Sequence, residues 1–376
     1  MPISHLLGES IYQETAHHNH FDVDAISENI NGLTITTTAA PPSHIFNNGE
    51  DHTNGTQKYV LIDTDAGTED AWALYMALAA HRSNNGFKIV GITTVYGNTS
   101  VEHVANNVTR VLDTVHENNI PVFSGMDSSM VGKYINNTQR YHGQDGFGDA
   151  SLPPIPARVQ PRHSVEAIIK FADAYPGKLT ILCLGPLTNL AMAVKFRPDL
   201  KNLVKEIFIL GGNMEGLGNV TVSSEFNFFV DPEAATVVLN NFGPYCTINI
   251  LPWETCVKFG TLSHAWRTGI LGNIRTKEMN LLNKIEAKIL TTYQENWLVS
   301  DAVLAACLIN QNVIKKSDPY HCTVELSGQH TRGMMIVDKC FLQQKQSNAN
   351  LILEIDQVLY EAMLVWAAGG PVFSKK

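Results

Sequence analysis

From residue 58 onward, short apolar runs alternate with segments of helical pattern, and this alternation limits the possible folds more than any other feature of the sequence. Six runs resemble strands: KYVLID, FKIVGITTVYG, IPVFSG, LTILCLGP, EIFILGGN and CTINILPW. One helix-like segment between them, SVEHVANNVTRVLDTVHEN, repeats valine at three- and four-residue steps, which forms a single apolar stripe. Apolar strands separated by helices are typical of parallel sheets covered on both faces. We therefore predict an α/β fold over residues 58–376: an open, mostly parallel sheet flanked by helices.

The N-terminal residues, 1–57, have a different composition, rich in Asn, His, Thr and Ser, with no sustained apolar period. This composition predicts a flexible polar leader. No stretch approaches the roughly 18 apolar residues of a membrane span, and no signal-peptide pattern is present, so we expect a cytoplasmic protein that does not contact membranes. The net charge of −9 and the lack of basic runs argue against nucleic acid as a partner.

Four acidic residues are crowded into DTDAGTED, directly after the first predicted strand: Asp63, Asp65, Glu69 and Asp70. The polar segments YGN, GPLTN and GGN follow other predicted strands in the same way. Ligands of parallel α/β sheets bind beyond the carboxyl ends of the strands, so these clusters predict one site at that edge.

Each acid also has a simpler interpretation. An acid in the first turn of a helix complements the helix dipole by about 0.3 to 1 kcal/mol, and an aspartate can simply end a strand. Four carboxylates so close together nevertheless repel one another unless a cation or hydrogen-bond donors relieve them. Because all the candidate ligands are oxygens, the cluster favours Ca²⁺ or Mg²⁺ over zinc.

Two other acidic motifs fit less well. An EF-hand loop requires glycine at its sixth position, whereas Gly67 is fifth. An aspartyl-phosphate phosphatase also begins with D-x-D after a strand, but we expect a hydroxyl four residues beyond Asp63, where Gly67 stands and Thr68 is one position late. The phosphatase interpretation is kept as a minor alternative.

An ordered series of motifs over residues 58–340 resembles the inosine-uridine preferring nucleoside hydrolase family. The motifs are VLIDTDAGTEDA, GITTVYGN, IPVFSG, HGQDGFGD, GPLTNLAMA, GNVTVSSEFNFFVDPEAA, SDAVLAA and TRGMMIVD. The resemblance implies an open parallel α/β sheet and Ca²⁺-dependent hydrolysis of the N-glycosidic bond of ribonucleosides to base and ribose. Relatives are commonly dimers or tetramers, so a homodimer or homotetramer is expected.

Motif matching also implies how the acids divide their roles. Asp65 corresponds to the metal-bound general base of the family. Asp70, the backbone carbonyl of Thr188 and Asp301 correspond to further Ca²⁺ ligands. Asp63 corresponds to an acid that lies behind the metal ligands and does not itself bind the metal.

A second set of residues corresponds to family positions at or near the ribose: Glu69, Asn98, Asn219, Glu225 and Asn227. Most hydroxyl-binding positions are retained, but the family usually has Asp at position 69. The extra methylene moves the carboxylate by about 1.5 Å, and a misplacement of roughly 1 Å near a reacting centre can cost about a hundredfold in rate.

Ser300 is the second departure, since relatives carry His or Trp immediately before the last metal-binding Asp. We predict that Ser300 is the N-cap of the following helix. The two departures suggest an alternative function, a nucleoside- or ribose-binding protein with impaired catalysis.

The remaining candidates are an imidazole and three aromatic rings. His142 lies in a Gly-rich segment similar to the family's loop at the site mouth, where it would meet the 5′-hydroxyl or the base, or else be a solvated loop residue. Trp253, Tyr293 and Trp297 would either stack on a nucleobase or belong to the core.

Overall fold

The computed structural model describes residues 57–83, 86–132 and 141–370. The predicted leader, residues 1–57, lies outside these ranges except for its last residue. The strands of the main sheet are β1 (Lys58–Thr64), β2 (Phe87–Thr94), β3 (Val122–Phe123), β4 (Val159–Gln160), β5 (Leu179–Cys183), β6 (Val204–Leu210), β7 (Thr247–Leu251), β10 (Ile314–Tyr320) and β13 (Ala349–Ile355). Short two-stranded sheets pair β8 (Leu262–Ser263) with β9 (Asn296–Trp297) and β11 (Cys322–Val324) with β12 (Met335–Val337).

The α-helices are α1 (Thr68–Arg82), α2 (Val101–Val115), α3 (Ser164–Ala174), α4 (Thr188–Phe196), α5 (Phe226–Val230), α6 (Pro232–Phe242), α7 (Trp253–Thr255), α8 (His264–Gly269), α9 (Lys277–Ile285), α10 (Ala287–Thr292), α11 (Ser300–Ile309) and α12 (Gln357–Ala367). Short 3₁₀ turns and one π turn occupy Pro198–Asn202, Leu271–Asn273, Gln311–Val313 and Cys256–Gly260. Among the described residues, no helix has the length and apolar character needed to cross a bilayer.

The main sheet has the strand order β10-β13-β7-β6-β5-β1-β2-β3-β4, and all neighbouring pairs except β10 with β13 are parallel. Two apolar clusters of side chains cover its faces, which explains why the strands are apolar throughout. The predicted α/β class and all six predicted strands are confirmed. The order also confirms why the polar segments converge: β2, β1, β5 and β6 are neighbours that end at one edge.

Strand β1 is central, and its register fixes the position of the acidic turn. Asp63 lies opposite Thr93 of β2 and opposite Cys183 of β5. Helix α1 begins at Thr68, four residues after β1 ends, and is buried along most of its length, packed against α11. The turn between β1 and α1 is therefore held between two strands and a second buried helix.

Two parts of the fold carry no strong signal in the sequence. Strand β10 contains two lysines, an aspartate and a proline, and it forms the antiparallel edge of the sheet, where such residues are tolerated. Helices α7 to α10 lie between β7 and α11 in the sequence and supply buried side chains over the face that α1 occupies, including Met279, Leu282 and Ile285.

Candidate active site

Asp65 lies immediately beyond β1 and is 1% exposed. Its Oδ2 accepts a hydrogen bond from the backbone N–H of Asn98 (2.8 Å). Its carboxylate passes between two glycines whose missing side chains make room for it. A Cβ on Gly97 would lie 2.1 Å from Asp65 Oδ2, and a Cβ on Gly185 would lie 2.8 Å from Oδ1. Glycine is therefore required where β2 and β5 end, because any side chain there would displace this acid.

Asp70 is fully buried and receives hydrogen bonds from three sides. Thr64 Oγ1 donates to Oδ1 (2.5 Å), while the N–H of Gly67 (2.9 Å) and Nδ2 of Asn98 (3.2 Å) donate to Oδ2. Asp70 thus helps to cap the N-terminus of α1, as the simpler interpretation proposed for an acid in a first helical turn. Asn98, predicted near the ribose, holds Asp65 and Asp70 in fixed relative positions.

Asp301 comes from the opposite side of the site, in the first turn of α11, and is 2% exposed. Helix α11 begins at Ser300, and Val299 is its N-cap residue. The predicted N-cap role of Ser300 is therefore wrong. The Ser300 hydroxyl instead donates to Glu69 Oε2 (2.7 Å), and its backbone N–H donates to the same oxygen (3.1 Å).

The acids of the site have raised pKa values, and two of their oxygens lack a hydrogen-bond donor. Burial, reinforced by the charge of Asp70, raises the pKa of Asp65 well above its usual range, and burial with the charges of Asp70, Glu69 and Asp65 does the same to Asp301. Burial raises the pKa of Asp70 to about 6 and that of Glu69 to about 7. Asp65 Oδ1 and Asp301 Oδ1 are buried and accept no hydrogen bond.

These features fit a hard cation. Two bare carboxylate oxygens and a cluster of mutually repelling acids are the donor set that Ca²⁺ prefers, since the ion would reverse the pKa shifts. In the parts of the chain that the structure describes, no three His, Cys, Asp or Glu side chains already converge as a finished metal site. Thr188, whose carbonyl is the predicted fourth ligand, is the first residue of α4, and its hydroxyl donates to Asp231 Oδ2 (2.6 Å).

Asp63 lies behind these acids in a fixed polar network. Its Oδ1 accepts from Thr93 Oγ1 (2.6 Å) and from Asn189 Nδ2 (2.8 Å). Asn189 Nδ2 also donates to the carbonyl of Thr94 (2.9 Å), and its Oδ1 accepts from the N–H of Met126 (2.9 Å). Burial raises the pKa of Asp63 to about 6. Asn189 was not singled out from the sequence, although it belongs to the GPLTN segment that was.

The predicted ribose contacts Glu225, Asn227 and Asn219 lie beyond the end of β6. Glu225 is the N-cap of α5, and its carboxylate accepts from the N–H groups of Gly212 (2.8 Å), Asn227 (2.8 Å) and Phe228 (3.0 Å). Asn227 Nδ2 donates to the carbonyls of two strand-end residues, at 2.8 and 3.1 Å. Asn219 Oδ1 is buried and accepts no hydrogen bond, so a donor such as a sugar hydroxyl would satisfy it.

Two residues that the sequence analysis missed hold the loop that carries Asn219. Glu254 accepts from the N–H groups of Met214 (2.9 Å), Glu215 (2.8 Å) and Leu217 (3.1 Å). Asn213 donates from Nδ2 to carbonyls at both ends of the same loop, at 3.2 and 2.6 Å. The loop is therefore fixed at its base, and only contacts between distant residues reveal this.

His142 is 7% exposed, so the interpretation as a solvated loop residue is wrong. Its Nδ1 accepts from the backbone N–H of Thr68 (3.2 Å) and lies 2.9 Å from Thr68 Oγ1, which joins the Gly-rich loop to the start of α1. Nε2 lies 3.6 Å from Glu69 Oε1. Burial lowers the pKa of His142 to about 3, so the ring is neutral, and the Thr68 bond to Nδ1 assigns its proton to Nε2.

The aromatic candidates separate into two groups. Trp297 belongs to the core: it packs edge-on against Trp72, with ring centroids 5.3 Å apart, and its Nε1 donates to Glu286 (2.9 Å). Tyr293 is partly exposed and packs against Tyr141, the neighbour of His142, at 5.7 Å between centroids. Trp253 is partly buried against the core.

Comparison with known proteins identifies the same family and the same architecture. The sequence model of the family described as inosine-uridine preferring nucleoside hydrolase matches residues 60–362. The inosine-uridine preferring nucleoside hydrolase of Leishmania major is 29% identical over 311 residues, 79% of this chain and 93% of that protein. A solved structure, Inosine-Guanosine Nucleoside Hydrolase (IG-NH), superposes with a TM-score of 0.77 at 29% identity and covers 83% of this chain and 98% of its own.

Uridine nucleosidase 1 of Arabidopsis thaliana is 36% identical over 196 residues, which is 52% of this chain. The matched part spans 57% of that plant protein. The names of these relatives specify different bases.

Proposed function

This chain belongs to the inosine-uridine preferring nucleoside hydrolase family, and on that premise we propose that it hydrolyses the N-glycosidic bond of ribonucleosides to free base and ribose with a bound Ca²⁺. The observation that carries the proposal is the pair of bare, buried oxygens, Asp65 Oδ1 and Asp301 Oδ1, at the carboxyl edge of the sheet. The amide oxygen of Asn219, beyond the end of the neighbouring strand β6, is likewise buried and without a hydrogen bond. Buried carboxylate oxygens are normally hydrogen-bonded, so these two, together with Asp63 Oδ2 behind them, indicate that a cation or another donor belongs in the cluster.

Asp65, Asp70, Asp301 and the carbonyl of Thr188 would hold the Ca²⁺. When bound, the ion supplies positive charge that orients the sugar hydroxyls and the attacking water and makes that water more acidic. The donor set supports calcium because it consists only of oxygens and carries three carboxylates.

Asp65 is the general base in this proposal. Its Oδ2 is fixed by the Asn98 N–H, and Gly97 and Gly185 confine the carboxylate, so Oδ1 is left to accept a proton from water. Hydrolysis of a glycosidic bond passes through an oxocarbenium-like sugar, and the attacking water must lose its proton as the new bond forms. A confined base with one free oxygen suits that step.

The ribose would be held by Asn219, Glu225, Asn227 and Glu69. Asn219 offers a free acceptor, and Glu225 is a rigid acceptor because three backbone N–H groups fix it. Negative charge around the sugar stabilises the positive charge that develops on it. These contacts support a preference for nucleosides with a full set of ribose hydroxyls.

The test is hydrolysis of a nucleoside panel. We expect purified protein with calcium to release ribose and base from at least one of inosine, uridine and adenosine, measured by chromatography. Asp65→Asn should lower kcat by about a hundredfold or more, the usual contribution of general-base catalysis. Asp356→Asn, the same change at the N-cap of α12, is the matched control and should retain full activity. Folded wild-type protein that releases no ribose would refute the proposal.

A second candidate function is supported by one observation. The hydroxyl of Ser300 donates to Glu69, and Ser300 stands where relatives carry His or Trp, so this side chain is not free to protonate a leaving base. A nucleoside- or ribose-binding protein with little turnover would have this property. Calcium-dependent nucleoside binding by calorimetry, without ribose release, would favour it over the hydrolase.

We also propose an oligomeric state and a cellular location for the protein. We propose a homodimer or homotetramer in the cytoplasm, as the resemblance and the composition predict. Light scattering of the purified protein measures the first, and a monomer at micromolar concentration would contradict it.

A further inference from the structure

The two positions at which this chain departs from its family contact each other. Glu69 lies in the first turn of α1 and Ser300 is the first residue of α11, 231 residues later. Both the hydroxyl (2.7 Å) and the N–H (3.1 Å) of Ser300 donate to one oxygen, Oε2 of Glu69. The two substitutions therefore form one interaction rather than two separate losses.

The lengths of the two side chains are complementary. An aspartate at position 69 would withdraw the carboxylate by about 1.5 Å, and both hydrogen bonds would then exceed the range in which hydrogen bonds form. Ser300 is 3% exposed, so its small side chain fits a closed space beside the acid. The extra methylene of Glu69 is what allows the carboxylate to reach the start of α11.

The other carboxylate oxygen remains available. Oε1 of Glu69 lies 3.6 Å from Nε2 of His142, beyond hydrogen-bond length, and 21% of the Glu69 side chain is exposed. The hydrogen bond from the Thr68 N–H fixes the His142 ring, so the group opposite Glu69 Oε1 is held in place. Glu69 is thus held through one oxygen and presents the other to the crevice.

We propose that Ser300 is a positioning residue that holds the longer side chain of Glu69 against the ribose. Glu69 then makes the ribose contact that an aspartate makes at this position in relatives. The inference rests on the proposed function and deepens it. Ser300 has no contact with the leaving base in this account. It acts through Glu69 alone.

A double-mutant cycle tests this dependence. Ser300→Ala removes the hydroxyl bond but keeps the N–H bond, and we expect it to raise the KM for ribonucleosides about tenfold, since hydrogen bonds to charged groups contribute about that factor or more. Glu69→Asp should have a larger effect, about a hundredfold in kcat/KM. In the Glu69→Asp background, Ser300→Ala should change KM by less than about twofold, because the bond is already lost.

Two controls separate positioning from stability. Ser300→Thr keeps the hydroxyl but adds a methyl group to a closed space, so it should lower stability while its KM stays closer to the wild-type value than the KM of Ser300→Ala. Ser263→Ala removes a serine that caps α8 through the N–H of Trp266 (3.1 Å), and it should lower stability without changing KM. A purely structural role for Ser300 would lower the fraction of active protein and hence kcat, while KM stayed constant.

Additive effects of Ser300→Ala and Glu69→Asp on KM would overturn the inference, even if the enzyme is a nucleoside hydrolase. If wild-type protein releases no ribose, the proposed function fails, and the same cycle is then measured in the calorimetric Kd for nucleoside. Non-additive Kd values would still support the pair, whereas additive values or no binding by wild-type protein would reject it.

Discussion

Replacing Asp301 by asparagine should have opposite effects on stability with and without calcium. Asp301 is buried, has one bare oxygen, and faces the negative charges of Asp70, Glu69 and Asp65. Asparagine has almost the same shape but no charge. In calcium-free protein the change removes repulsion, whereas in calcium-loaded protein it removes a ligand.

Which protein is more stable depends on two opposing free energies, the repulsion that is removed and the calcium binding that is lost. Two unit charges about 7 Å apart repel by about 2 kcal/mol at an effective dielectric constant of about 20, so Asp301→Asn should stabilise calcium-free protein by about 1 to 2 kcal/mol at pH 8. Calcium at about 1,000 times Kd adds about 4 kcal/mol to the wild type. If the variant binds calcium about 100-fold more weakly, it gains only about 1.4 kcal/mol, and the order of stabilities reverses.

The assay is urea unfolding of both proteins at pH 8, in excess chelator and in excess calcium. Asp356→Asn is the control, because Asp356 caps α12 away from the site and should respond equally in both conditions. If Asp301→Asn destabilises the protein by the same amount with and without calcium, Asp301 is a structural acid, and the proposed metal site is refuted.

Three further changes test other parts of the site. Gly97→Ala would place a Cβ 2.1 Å from Asp65 Oδ2, so kcat/KM should fall by about a hundredfold or more, whereas Gly269→Ala, which meets nothing within 4 Å, should be neutral in the same ribose-release assay. Asn189→Ala leaves several buried groups without partners and should lower the free energy of unfolding by about 3 kcal/mol in urea titrations; a loss below about 1 kcal/mol would contradict the network. Burial raises the pKa of Glu225 to about 7, so the folded protein binds this proton more tightly than the unfolded chain, and stability from this group falls as pH rises from about 4.5 to about 7. In chelator, wild-type protein should therefore lose about 2 to 3 kcal/mol more than Glu225→Gln between pH 4 and pH 8, and equal losses would contradict the shift.

The predictable parts of the fold were those with local signals. Strands β1, β2, β5, β6 and β7 are continuous apolar runs, and a sheet buried on both faces requires such runs. The convergence of the polar segments followed from parallel pairing. Strand β10 escaped prediction because a polar edge strand with a proline has no such run.

The site was predictable where residues lie close in sequence and unpredictable where they meet through the fold. The acidic turn could be read from eight consecutive residues, and the structure brings Asp301 to it. The contact between Glu69 and Ser300 could not be foreseen, because each residue has a plain local interpretation and 231 positions separate them. The same holds for Gly97 and Gly185, whose necessity appears only when Asp65 lies between them.

The most direct test of the central claim is ribose release by wild-type protein under control of calcium. Inosine and uridine are incubated with the protein as purified, after treatment with a chelator, and after calcium is added back. We predict that ribose is released from at least one nucleoside, that chelation abolishes the release, and that calcium restores it. Release that is indifferent to the chelator, or no release by folded protein in excess calcium, would contradict the account.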